Sequence, residues 1–449
     1  MLPDVALLQI FDFCGDEERI EAWHTLVHVC RNWRNVVFGS PRRLNLRLHC
    51  KARTPVRETL YVWPPLPIVI RVSGYEMWDE DNILAALEHN DRICHLDLLN
   101  LPSSKSEKVL AAMQRPFPAL THLALKFNDE TVPVDPASFL GESAPNLQSL
   151  VLECISFTGL TGVPNILLSA THLVHLHLWR IPYSGYLSSE AIATCLPTLT
   201  RLESLHIGFE LPRNTPEHWQ SSIRPRILPP PPTRVLLPVL TVLEFQGSVI
   251  YLEDFVARID APLLNYLNIA FFRELVYHSP QLTQFISRTP MSKTHDEARV
   301  VFSNRDIWVK LPQTLDGKPH VGITCITSSW RLLSLAHVCT VTFLQALLPA
   351  VERLYILEDG CWDWQGNIED IGWPELFSLF TAVKELYISS EFMPCIASTL
   401  VILTELLPAL QTLFLEEPLL SGPDQEVIGQ FLSLQQLCSH PIAVSRWER

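Results

Sequence analysis

Residues 117–125 read FPALTHLAL, and residues 144–152 read APNLQSLVL. Both stretches carry leucines in the order L-x-x-L-x-L, and their central leucines, Leu123 and Leu150, are 27 residues apart. A strand with leucine at alternate positions buries one face and leaves the other face to the intervening residues. The two stretches therefore predict two equivalent strands, each with an apolar side that must be covered.

The same pattern recurs along most of the chain. The central residues of the first five units fall at 96, 123, 150, 176 and 205, in steps of 27, 27, 26 and 29 residues. Further units centre on Leu243, Leu267, Leu354, Leu386 and Leu413. A period of roughly 20–29 residues is typical of leucine-rich repeats, which stack because no repeat can bury its own apolar faces. The sequence predicts an α/β solenoid with parallel strands on the concave face and helices on the convex face.

Two breaks interrupt the period. Four consecutive prolines at 229–232 predict a surface loop in the polyproline conformation. Residues 298–312, ARVVFSNRDIWVKLP, alternate like a strand pair around Ser303–Asp306, and a third strand is expected from Val321. The chain therefore divides into five expected parts. An N-terminal segment with a different pattern, here called the head, covers 1–45, and a linker or irregular first repeat covers 46–89. Repeats follow at 90–272, a β-rich insertion at 273–336, and further repeats with a C-terminal cap at 337–449.

Composition excludes several classes of protein. The 34 basic and 48 acidic residues give a net charge of −14, which disfavours binding to nucleic acid. No apolar stretch is long enough to predict a membrane span. The 11 cysteines contain no C-x-x-C pair, which favours reduced thiols. We expect a soluble protein of the cytoplasm, the nucleus or both, without a nucleic-acid or membrane partner.

The first 45 residues follow a different pattern. Residues 2–14, LPDVALLQIFDFC, begin with Leu2 and Pro3, and proline is favoured in the first turn of a helix. Apolar residues then recur at helical spacing, and a second such stripe runs through residues 22–38. A segment of this size has little core of its own. Either it caps the repeats or another chain covers it.

This head resembles the F-box, the short helical module that binds the Skp adaptor of cullin-based ubiquitin ligases. The resemblance is carried by Leu2-Pro3-Asp4, by the run Leu7-Leu8-x-Ile10, and by VCRNW at 29–33. Together with the repeats, the chain resembles the F-box/leucine-rich-repeat family, and its tail is similar to fungal members. The resemblance implies a substrate receptor that performs no catalysis and needs no cofactor. It also implies adaptor contacts at Leu2, Pro3, Asp4, Leu7, Ile10 and Val29.

In such strands the residues between the leucines face the concave surface, where solenoids usually bind partners. Aromatic side chains and histidines recur at these sites, and aromatic residues often dominate binding energy. A neutral interpretation is that these are solvated strand positions without a specific role. The candidate contacts to a protein substrate are His122, Lys126, His175, His177, Trp179, His206, Glu244, Tyr266, Tyr355 and Tyr387.

Two other functions stay open at this point. The first is a repeat scaffold whose head recruits no ligase. The second is a metal-dependent hydrolase, because His177, His206 and Glu244 are expected at equivalent sites on successive strands about 4.8 Å apart. Two imidazoles and a carboxylate can hold zinc with an open fourth position. Nothing in the sequence marks a shielded cleft or supporting groups around them, so we predict no metal site and no enzyme.

Overall fold

A computed structural model describes most of the chain. The described residues are 3–14, 28–39, 46–62, 65–72, 79–102, 106–128, 132–134, 138–157, 165–182, 185, 187–210, 234–272, 279–292, 295–303, 306–312, 320–326, 347–359, 373–389, 392, 396, 403–416 and 442–447. Leu2 and the prolines at 229–232, which the sequence analysis singled out, lie outside these residues.

The chain divides into two compact units. Unit 1 comprises residues 1–187 and 198–202, and unit 2 comprises residues 188–197 and 203–449. The boundary lies within the stretch 90–272, which the sequence treats as one block of repeats. Both units combine helices with parallel strands, so the predicted α/β class is confirmed.

The sheet of unit 1 is parallel throughout. Its strands are β1 (Leu46–Leu48), β2 (Ile68–Val72), β3 (Ile93–Leu101), β4 (His122–Phe127), β6 (Ser149–Glu153) and β8 (His175–Ile181), in that order. A separate parallel pair joins β5 (Val132–Val134) to β7 (Ile155–Phe157). The helices are α1 (Asp4–Cys14), α2 (Arg31–Gly39), α3 (Val56–Val62), α4 (Glu80–Leu87), α5 (Ser106–Ala112) and α6 (Asn165–Ser169). Segment 46–89 therefore already supplies two strands of the sheet.

Unit 2 contains a larger sheet that is mostly parallel. Its strand order is β9 (Ser204–Phe209), β11 (Val242–Gly247), β13 (Tyr266–Phe272), β16 (His320–Ile326), β15 (Asp306–Leu311), β14 (Glu297–Phe302), β17 (Arg353–Glu358), β18 (Glu385–Ile388), β19 (Thr412–Glu416) and β20 (Ala443–Trp447). A short parallel pair joins β10 (Val235–Leu236) to β12 (Ile259–Asp260). The helices are α7 (Ser189–Cys195), α8 (Val249–Ala257), α9 (Pro280–Ser287), α10 (Trp373–Phe377) and α11 (Leu403–Leu406).

The repeated leucines form the core of both units, as the period predicts. In unit 1, Leu96, Leu123, Leu150 and Leu176 pair strand to strand in one register, and all are buried. In unit 2 the same holds for two sets, Leu205–Leu243–Leu267 and Leu354–Leu386–Leu413. A one-residue slip would turn every leucine outward, so burial fixes the register. Each strand consequently has a buried face and a second face with half-buried side chains, here called the polar face.

The three strands predicted within 273–336 are present, but they do not interrupt the sheet. Strands β14 and β15 pair antiparallel around Ser303–Asp306, and β15 pairs antiparallel with β16. The first of the three lies beside β17 and the last beside β13, both in parallel. The three strands of this segment therefore continue the sheet of unit 2.

Helices between the strands begin at local caps and bury one side. Helix α8 starts at Ser248, whose hydroxyl accepts the amide hydrogen of Tyr251, and it buries Leu252 and Phe255. The carboxylate of Glu253 accepts from the first free amides of α9, at Gln281 and Leu282. Such bonds satisfy helix-end donors that would otherwise lack partners. Within the described part of the chain, no helix has the length and apolarity needed to cross a membrane.

Candidate functional site

The described part of the head, residues 3–14 and 28–39, consists of two helices that pack on each other. The rings of Phe11 and Trp33 meet edge to face, with centroids 5.0 Å apart. Leu7, Phe11 and Val36 are buried in this part of the head. Two amides, of Ala6 and Leu7, donate to the carbonyl of Pro3, so this proline stands where α1 begins.

The structure separates the predicted adaptor residues into two groups. Pro3, Asp4, Ile10 and Val29 are exposed, with 40% of Ile10 and 54% of Val29 accessible to solvent. Leu7 is only 3% exposed, which does not fit a direct contact of its side chain with an adaptor. The side of α1 that turns inward is not encoded in the local pattern, because it depends on the packing against Trp33. Val5, which was not among the predicted contacts, is 68% exposed.

The polar face of unit 1 brings its predicted contacts into two rows. His122, Ser149 and His175 are register partners across β4, β6 and β8. Lys126, Glu153 and Trp179 form the other row, and Lys126 Nζ lies 2.9 Å from Glu153 Oε2. His177 lies between the rows, with its ring centroid 5.6 Å from that of Trp179. These residues therefore share one surface, as the alternation predicts.

A charged cluster extends this surface at His122. The imidazoles of His95 and His122 stack with centroids 5.0 Å apart. His95 Nε2 lies 2.7 Å from Asp97 Oδ2, and Arg71 Nε lies 3.6 Å from the same oxygen. Burial lowers the pKa of His122, and the nearby His95 lowers it further. Arg71 was not among the predicted contacts because β2 lacks the L-x-x-L-x-L pattern.

In unit 2, Glu244 lies at the centre of a second cluster. Its Oε2 atom is 2.9 Å from His206 Nδ1, and Ser204 Oγ is 2.7 Å from the other nitrogen of that ring. The ring of Tyr266 stacks on His320 at 4.7 Å. Burial raises the pKa of Tyr266, and the negative charge of Glu244 adds to the effect. Burial lowers the pKa of His320, with a further contribution from Lys310.

The zinc hypothesis gains no support from this cluster. It required His177, His206 and Glu244 as the three zinc ligands, and the side chains of His206 and Glu244 are hydrogen-bonded to each other. Among the described residues, no group of three His, Cys, Asp or Glu side chains is arranged to hold a metal ion.

A row of aromatic rings crosses the polar face farther along unit 2. Tyr355, Tyr387 and Phe414 are register partners on β17, β18 and β19, and we call them the aromatic ladder. Neighbouring centroids are 4.2 and 4.3 Å apart, with 11° and 4° between the ring planes. Burial, before any other cause, raises the pKa of Tyr355 and that of Tyr387.

Among the described residues, Arg299 and Trp447 border the aromatic ladder. The guanidinium carbon of Arg299 lies 5.3 Å from the centroid of the Tyr355 ring. Trp447 stands edge-on to Tyr387 at 5.5 Å and 81°, and its Nε1 donates to the carbonyl of Ile388. Neither residue was among the predicted contacts, because Arg299 lies in the segment expected to be an insertion and Trp447 lies beyond the last recognised repeat. Alternation within β14 could have identified Arg299.

Comparison with known proteins supplies no assignment: no protein-family model matches the chain, and no curated protein matches it. The head and the polar faces of the two units are therefore the features from which a function is inferred.

Proposed function

We propose that this protein is the substrate-recognition subunit of a cullin-type ubiquitin ligase. In this role the head binds a Skp-type adaptor, and the polar faces of the repeats bind a protein substrate. The adaptor and cullin then bring a ubiquitin-transferring enzyme to the bound substrate. The chain itself performs no chemistry and uses no cofactor.

The observation that carries the proposal is the exposure of apolar side chains on the two described helices of the head. Val5, Ile10 and Val29 are exposed, with 68%, 40% and 54% of their surfaces accessible to solvent. Exposed apolar surface on a small module commonly marks a site for another protein. The contrast with the long, well-buried repeats suggests that head and repeats bind different partners.

The polar faces have the chemistry of a protein-binding surface. They combine aromatic rings, imidazoles and paired charges on strands whose registers are fixed by the buried leucines. Rigid aromatic side chains contribute strongly to binding because little conformational entropy is lost when they are covered. The internal pairs, such as Lys126 with Glu153, hold side chains in place before a partner arrives.

Assembly with purified components tests this proposal. We expect the protein to co-migrate with a Skp-type adaptor and a cullin in size-exclusion chromatography. The double substitution Ile10→Ser and Val29→Ser should abolish co-migration, because both side chains are exposed and apolar. Val62→Ser is the matched control, since Val62 is an exposed valine outside the head. A wild-type protein that elutes alone would favour the scaffold function, in which the repeats bind partners without a ligase.

A further inference from the structure

Asp97 of β3 is shared by two groups on the polar face of unit 1. Its Oδ2 atom lies 2.7 Å from His95 Nε2 and 3.6 Å from Arg71 Nε. The side chain of Arg71 is 43% exposed, against 24% for Asp97 and 17% for His95. The guanidinium is thus the most accessible member of this group, which we call the Asp97 site. A partner that approaches the Asp97 site meets a cation before it meets the carboxylate.

Glu153 of β6 is shared by two cations. Lys126 Nζ lies 2.9 Å from its Oε2 atom, and Arg180 Nη1 lies 3.9 Å from its Oε1 atom. Both cations are more exposed than the carboxylate, at 38% and 41% against 14%. Among the described residues, neither cation is paired with a second carboxylate. This group, which we call the Glu153 site, therefore presents a surplus of positive charge to solvent.

The polar face between the two sites is apolar and low. Ala124 and Val151 are half-buried register partners on β4 and β6, and Ala124 is also the register partner of Asp97. Each lies two residues before a member of the Glu153 site, and therefore on the same face of the sheet. Their short side chains form an apolar floor that the two sites border.

We propose that this surface binds an acidic segment of a partner protein. One carboxylate of the segment lies at the Asp97 site, another at the Glu153 site, and an apolar side chain covers the floor between them. Complementary charges favour such a partner and disfavour a cationic one. The whole chain has a net charge of −14, so the surplus of positive charge is a local feature of this surface.

This inference deepens the proposed function by naming the chemistry of the partner. That the acidic segment belongs to a ubiquitin-ligase substrate rests on that function. The binding of the segment itself rests only on the geometry of unit 1.

The spacing of the two sites defines the segment. Arg71 pairs in register with Asp97, Asp97 pairs with Ala124, and Lys126 follows Ala124 by two residues. With strands about 4.8 Å apart and about 3.4 Å per residue, the Cα atoms of Arg71 and Lys126 are roughly 12 Å apart. Residues four positions apart in an extended chain span about 13 Å, and alternate residues point to the same side. The pattern acidic-x-apolar-x-acidic therefore fits both sites and the floor.

A short peptide with this pattern tests the binding directly. The probe is acetyl-Glu-Gly-Leu-Gly-Glu-amide, titrated into the full-length protein and followed by ligand-observed NMR. The same peptide with glutamine in place of glutamate lacks the charges, and a single-stranded oligothymidylate tests for a preference for phosphate groups. We expect the glutamate peptide to bind at least about threefold more tightly than the glutamine peptide at low salt. The difference should shrink at high salt, because exposed charges are screened.

Two results with these probes would overturn the inference. The first is equal binding of the glutamate and glutamine peptides at low salt. The second is tighter binding of the oligothymidylate than of the glutamate peptide, which would indicate a nucleic-acid surface. A glutamate peptide with glycine in place of leucine should bind more weakly, and unchanged binding would contradict the contact with the apolar floor.

Two substitutions locate the sites. Arg71→Gln and Lys126→Gln should each weaken binding of the glutamate peptide by about threefold, the size of an exposed ion pair. Each carboxylate of the protein keeps one of its two partners, so both variants should fold. The double variant should bind the glutamate peptide no better than the glutamine peptide, and the single variants decide the question if the double variant does not fold. Unchanged binding in both single variants would refute the assignment.

Arg57→Gln and Lys108→Gln are the matched controls. Each removes one positive charge that is paired with a carboxylate, Arg57 with Glu88 at 3.1 Å and Lys108 with Glu80 at 2.7 Å. Both residues lie on helices, α3 and α5, and not on the polar face. The controls should leave peptide binding unchanged. Losses equal to those of the test variants would show that binding follows net charge alone, which would refute the two sites.

Adaptor binding measured on the same samples separates the two proposals. Loss of adaptor binding with intact peptide binding speaks against the ligase alone. Intact adaptor binding without peptide binding speaks against the acidic segment alone.

Discussion

The rings of Tyr387 and Phe414 stack 4.3 Å apart with only 4° between their planes. The spacing is close to the separation of neighbouring strands, so the two rings follow the backbone register of β18 and β19. The buried partners behind them, Leu386 and Leu413, fix that register from the other side of the sheet. The core leucines thereby determine the geometry of the surface that we assign to the substrate.

The stacked pair should be energetically coupled. Aromatic pairs contribute about 0.5–1.5 kcal/mol beyond the area they bury. A double-mutant cycle with Tyr387→Leu and Phe414→Leu should therefore give a coupling of that size in urea unfolding. The control cycle joins Tyr387→Leu to Tyr61→Leu, because Tyr61 is exposed in the other unit. Coupling in the stacked pair no larger than in the control would show that the stacking does not stabilise the protein.

The repeated leucines should account for much of the stability of unit 1. Leu150 is fully buried between its register partners Leu123 and Leu176. Leu150→Ala should lower the free energy of unfolding by about 2–5 kcal/mol, the range for large-to-small changes in a core. Val151→Ala, on the half-buried polar face of the same strand, is the control and should cost less. Similar losses for both would mean that the register is wrong.

Acid should destabilise the protein through His122. Its pKa is lowered in the folded state from an ordinary value of 6.5, so the unfolded chain binds the proton more tightly. Its contribution to stability is therefore present above about pH 6.5 and is lost as the pH falls through the folded-state pKa. The titratable and charged groups that act on His122 are His95, Asp97, His175 and Arg71.

Thermal melting between pH 8 and pH 5 measures this effect. His122→Gln should make the decrease in melting temperature between pH 7 and pH 5 smaller than in the wild type. His172→Gln is the control, because His172 is an exposed histidine in the same unit. A decrease that is equally steep in wild type and His122→Gln would exclude His122 as a source of the acid sensitivity.

The regular part of the fold could be predicted from sequence because burial imposes a simple rule. Leu96, Leu123, Leu150 and Leu176 recur at nearly constant spacing, and a one-residue slip would expose them all. The side of each strand that carries His122 or Tyr387 follows from the same alternation. These predictions needed only the local pattern.

Other features depend on long-range packing, which local patterns do not encode. The three strands at 297–326 were predicted, yet their place within the sheet follows from the pairings of β14 with β17 and of β16 with β13. The inward orientation of Leu7 depends on how the two helices of the head pack together. Arg299 and Trp447 reach the aromatic ladder from outside the recognised repeats. Each of these features needs a partner that is distant in sequence.

Calorimetric titration of a purified Skp-type adaptor into the full-length protein tests the central claim most directly. We predict that the wild type and Val62→Ser bind with equal affinity, and that the variant Ile10→Ser and Val29→Ser binds at least about tenfold more weakly, a loss of about 1.4 kcal/mol. The melting of the repeats, followed by circular dichroism, should not change in the variant. No heat of binding from the wild type at micromolar concentrations, or equal affinities for wild type and variant, would contradict a head that recruits a ubiquitin ligase.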